Sequence, residues 1–164
     1  MASPAQTFDT PDPIEVALNV EYGSVRLIAG SRQTTVVDIR PTSDNRKADA
    51  EAVERTAVNY AAGRLEVRGP KFRGLGLFGK PGSIEVVIQL PAGSSVLGSG
   101  GYGDFGAEGP LGDCSFKTSY GTVRVQSAAA LTIQSSGGDI SVGRVAGAAQ
   151  ITASAGDIRV ERAG

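Results

Sequence analysis

From Val96 onward the chain alternates apolar and polar residues around a recurring glycine. The glycines are Gly103, Gly121, Gly138 and Gly156, spaced 18, 17 and 18 residues apart. Seven residues before them lie Val96, Cys114, Leu131 and Ala149, and five before lie Gly98, Phe116, Ile133 and Ile151. Two after come Phe105, Val123, Ile140 and Ile158, and four after come Ala107, Val125, Val142 and Val160. Ser, Thr, Lys, Arg and Gln dominate the positions between. Alternation of period two on both sides of a Gly-centred turn predicts two half-buried strands per repeat. A helix would spread these apolar residues around its circumference, and the glycines would weaken it. The near-constant spacing points to stacked coils, because the loops of an antiparallel sandwich vary in length. The expected fold is therefore all-β: a β-solenoid or β-helix-like stack with about 18 residues per coil, each coil adding about 4.8 Å of height.

The first half carries the template less regularly. Around Gly23 the inward positions are Val16, Leu18, Val25 and Leu27; around Gly63 they are Thr56, Val58, Leu65 and Val67. Residues 35–40 and 83–90 alternate as further strands. Residues 43–55, rich in Asp, Ala, Glu and Arg, predict one short helix opening at Ser43 or Asp44. Residues 1–93 thus read as an irregular β region that caps the stack and holds a basic, Gly-rich loop at 68–82. Residues 94–164 read as regular coils of the same continuous domain.

The GD(I/V)xV units at Gly138 and Gly156, the FDTPDPI opening from Phe8 and the basic Gly-rich loop resemble a bacterial putative-adhesin family of β-strand repeat proteins. Its members carry a domain of unknown function and are widespread in actinobacteria. The resemblance runs from Phe8 to Gly164. It implies a repetitive β fold and transfers no catalytic residues.

Composition narrows the function classes. The 164 residues include no His, no Trp and one Cys, with 16 basic and 17 acidic side chains. Absence of His removes the commonest general base and zinc ligand. A single Cys excludes an internal disulfide framework and any CxxC knuckle. The balanced charge offers no overall attraction to nucleic acid. Neither a signal-type leader nor a long apolar run is visible, so a cytoplasmic chain is expected. No enzyme activity, cofactor or metal is expected.

Five candidate features remain. Asp104, Asp139 and Asp157 follow the turn glycines, where Asp suits a tight turn by bonding the local backbone; a calcium column is the alternative, although Thr122 interrupts it. In the loop, Lys71, Phe72, Arg73, Leu75, Leu77, Phe78 and Lys80 either plug the stack or meet an anionic membrane surface. Tyr102 and Tyr120 precede turn glycines in successive coils and predict a stacked pair, structural rather than a sugar platform, while Cys114 reads as a small buried hydrophobe. The last coil exposes an edge with Ile151, Ile158 and Val160, and such edges recruit another chain. The leading expectation is a non-enzymatic interaction module that self-associates, or stacks on a protein partner, through that coil. A membrane or envelope binder acting through the loop is the alternative, and a carbohydrate-binding solenoid a remote one.

Overall fold

In a computed structural model, residues 5–43, 45, 47–70 and 82–163 are described. Among them the chain is mostly β, with one helix, and its strands form an open mixed sheet. The long strand β2 (Glu15–Gly30) starts a parallel run that continues through β7 (Ser95–Tyr102), β8 (Phe105–Tyr120) and β9 (Val123–Gly137). β10 (Ile140–Val145), β11 (Ala149–Ala153) and β12 (Ile158–Ala163) complete it, with β10 and β11 both on β9 and β12 on β10.

From β7 onward, residues 17 or 18 apart are register neighbours on adjacent strands. Val96 pairs with Cys114, Cys114 with Leu131, and Leu131 with Ala149. In the same way Phe105 pairs with Val123, Val123 with Ile140, and Ile140 with Ile158. The alternation of spacing has a local cause. The offset changes from 18 to 17 at a register shift between Ala107 and Pro110. It returns to 18 after Val145, where β10 has ended and β11 begins at Ala149. One residue is gained or lost each time outside the regular ladder, so the inward rows stay aligned.

Those rows form one continuous core. Val16, Leu27, Cys114, Phe105, Val123, Ile133 and Val142 are all buried, and the rings of Phe105 and Phe116 stack at 4.1 Å inside it. Phe116 uses space left by Gly98, because a Cβ there would meet the Phe116 ring.

The irregular segment between β2 and β7 covers the other side of β2. β3 (Thr34–Pro41) lies antiparallel on β6 (Ile84–Pro91), and β1 (Gln6–Asp9) lies antiparallel on β3. Gly63 does not centre a further coil as expected. Ala62 and Gly63, both with positive φ (50° and 76°), make the two-residue turn of a hairpin between β4 (Ala57–Ala61) and β5 (Arg64–Arg68). Two positive-φ central residues give the twist that closes antiparallel strands. The inward pattern around Gly63 resembles that of a coil because any half-buried hairpin alternates in the same way.

The helix also differs from expectation. α1 spans Lys47–Glu54 and does not include Ser43, while Asp44 lies outside the described residues. The buried carboxylate of Asp49 accepts hydrogen bonds from the Ser43 and Ser83 amides at 3.1 and 2.8 Å. Ser43 is thereby tied to the helix as a backbone donor instead of capping it, and the chain entering β6 is fixed by the same side chain.

Candidate functional site

The site grows out of the last rung. β11 has its neighbour on the β9 side and β12 on the β10 side, with nothing on the other side among the described residues. The consequence is visible in matched pairs. Ile140 is 1% exposed and its register partner Ile158 is 46% exposed. Val142 is 0% exposed and Val160 is 37%. On the other arm Ile133 is buried, Ile151 half-buried and Ala149 exposed. The sequence identified Ile151, Ile158 and Val160 as inward residues of an edge, and the structure brings them into the same rows as the core. Outward from β12 project the exposed Arg159 and Glu161.

The corner beside this edge is built on a glycine column. Gly103, Gly121, Gly138 and Gly156 have φ of 147°, 145°, 104° and 102°, values that disfavour a side chain. Space also forbids one: a Cβ on Gly121, Gly138 or Gly156 would fall on the carbonyl oxygen of the preceding glycine in the column. Beside it, Asp104 Oδ1 accepts the Thr122 amide at 2.9 Å, and Asp139 Oδ1 accepts the Asp157 amide at 2.9 Å. The expectation that these carboxylates bond their own turns is therefore corrected. Asp104 and Asp139 each bind an amide eighteen residues onward, on the neighbouring strand's turn, instead. No group of three potential metal-ligating side chains occurs among the described residues.

Other predicted features fall elsewhere. Tyr102 and Tyr120 stack at 5.4 Å, and Tyr22 on β2 extends the pair to three at the same spacing. The third ring escaped notice because it lies eighty positions from Tyr102 in the chain. Cys114 is buried, and desolvation pushes its thiol from 9.0 up to about 12. That holds it protonated and unreactive at neutral pH. Lys71, Phe72, Arg73, Leu75, Leu77, Phe78 and Lys80 lie outside the described residues. No helix among the described residues is long and apolar enough to cross a membrane.

Sequence reasoning also missed a groove of about 660 Å³ on the outer face, bordered by Arg26, Glu108, Arg124, Gln126 and Glu161. Gly106 opens it by interrupting the outward row between Arg26 and Arg124, where a Cβ would meet open space, and that glycine was its readable signal. Arg26 and Glu108 pair across it at 2.8 Å; both are over half exposed, so the bond is worth about 0–1 kcal/mol.

No family model matches the chain, and neither does any curated protein. Solved structures do. A putative cell adhesion protein from Clostridium sporogenes is 13% identical, with 100% of each chain covered and a TM-score of 0.53. A putative adhesin from Bacteroides fragilis is 12% identical over 96% of each chain, with a TM-score of 0.37. A putative lipid binding protein from Parabacteroides distasonis is 9% identical over 98% of this chain and 92% of its own, with a TM-score of 0.33. The first of these likenesses shows a fold shared with this chain along its whole length.

Proposed function

We propose that the chain is a non-enzymatic structural module of the adhesin-like repeat type. Its rungs wind as an open-ended β-solenoid, and its last rung binds a second copy of the chain. Winding is supported by the two separate in-register rows, one through Cys114 and one through Val123, whose side chains share one interior. An adhesive role accords with the description of the Clostridium sporogenes protein.

The observation that carries the reading is the contrast between Ile158 and Val160 and their buried counterparts Ile140 and Val142. Adding one more rung would cover Ile151, Ile158 and Val160 together, each contributing roughly 1.5–3 kcal/mol if fully buried. It would also satisfy the free edge of β12, which attracts another strand. Sedimentation velocity of the chain over a micromolar concentration series tests this. The expected result is a concentration-dependent rise above the monomer mass that Ile158→Asp with Val160→Asp abolishes. A monomer throughout the series overturns the proposal.

A further inference from the structure

We infer that the two copies meet head to head, with β12 antiparallel to β12 of the second copy about a two-fold axis at Val160, so that Arg159 of each copy faces Glu161 of the other. This rests on the self-association proposed above and adds its geometry.

The two ends of the sheet are unlike. At the far end the chain presents β1 antiparallel on β3 and the β4–β5 hairpin, with α1 against β3 and β6. There the edge strands β1 and β4 close on one another through the Phe8 and Tyr60 rings, 5.2 Å apart, and their inward side chains are already packed on the core, so neither offers an open row to β12. The matching surface for the terminal rung is the terminal rung itself, which makes the joint isologous and closed.

Symmetry then fixes the strand direction. Ile158 and Val160 face inward with Ile140 and Val142, whereas Arg159 pairs with the outward Ser141. A two-fold axis along the strand would set the inward row of one copy against the outward row of the other. An axis normal to the sheet keeps inward beside inward and makes the strands antiparallel.

Charge fixes the register. Centring on Ile158 would set Val160 opposite Gly156, before β12 begins, and centring on Glu161 would place that anion opposite itself, which leaves two registers. Centring on Arg159 places that cation opposite itself. Centring on Val160 places Arg159 opposite Glu161 twice, once on each side of the axis. Opposite charges facing across strands stabilise and like charges destabilise. Neither residue has an ion pair with another described residue, so both are free to serve.

Charge reversal tests the register. By sedimentation, Arg159→Glu alone and Glu161→Arg alone should each weaken dimerisation about tenfold or more, since like charges now face twice. The double variant should regain the dimer. An equimolar mixture of the two single variants should also regain it as a heterodimer, which excludes misfolding as the cause. Val160→Cys should cross-link under mild oxidation, because paired Cα atoms about 4.5–5.5 Å apart suit a disulfide, and Ile158→Cys should not. Buried Cys114 does not compete. If the unsubstituted chain stays monomeric, the self-association falls and this geometry with it. If it associates but grows past a dimer, or the mixture fails to recover, only the head-to-head geometry is overturned.

Discussion

The rung through Ile140 and Val142 and the rung through Ile158 and Val160 are written in nearly the same residues, GDISV and GDIRV, and lie in register. In the first, both aliphatic side chains are buried; in the second, both are open to water. Alternation in the sequence states which way a side chain faces. Covering it depends on strands on both sides, and only the inner rung has two. Half-exposed Ile158 therefore retains an unfulfilled hydrophobic contribution, while Ile140 has already realised its own.

This contrast can be broken most strongly by truncation. Ile140→Ala should cost about 2–5 kcal/mol, the range for large-to-small changes in a close-packed core. Ile158→Ala should cost less than about 1 kcal/mol under conditions where the chain is monomeric. Denaturant unfolding of both variants reads the difference, and equal losses would mean that the last rung is covered. The glycines give the next largest effect. Gly121→Ala drives a Cβ into the Gly103 carbonyl at positive φ and should cost more than about 1 kcal/mol. Gly106→Ala meets open space and should stay within about 0.5 kcal/mol of the parent.

A thiol sharpens the comparison further. Cys114 and Ala149 occupy one row, separated by Leu131. Ellman's reagent should modify Ala149→Cys rapidly in the folded protein and leave Cys114 untouched until unfolding. The raised pKa of Cys114 has a sign that can be worked out. Below pH 9 the thiol is protonated both folded and unfolded, so its contribution to stability is complete. Between about pH 9 and 12 only the unfolded chain ionises, and stability falls by roughly 1 kcal/mol per pH unit. Comparing this alkaline slope with that of Cys114→Ala isolates the effect; identical slopes would show that the thiol is not desolvated.

Much of the parallel run was legible because its instructions are local. Alternation marks the faces, and a glycine every 17 or 18 residues marks the corner; the three aliphatic residues of the open edge follow from the same count. The partner of β2 was not legible. Val16 pairs with Val96 and Val25 with Phe105, contacts across eighty residues that no spacing announces. The segment between them folds by the antiparallel pairs β3–β6 and β4–β5, by docking β5 and β6 on β2, and by Asp49 binding the Ser43 and Ser83 amides, none of which has a periodic signature. At Gly63 a tight hairpin and a stacked coil impose the same inward alternation, and only the neighbouring strand tells them apart. Asp104 and Asp139 make the same point at the corner. Their type suits a turn, but the donor that each carboxylate finds is set by the stacking of rungs.

The glycine column has one further consequence. Each of these glycines nestles against the one before it, so under the solenoid winding proposed above a segment of seventeen or eighteen residues that keeps this glycine is a repeatable unit. Tandem duplication of such a segment would insert between two existing layers without disturbing either, lengthening the molecule by about 4.8 Å for each copy. Reach could thus be adjusted in discrete steps by copying, with no redesign of the interior.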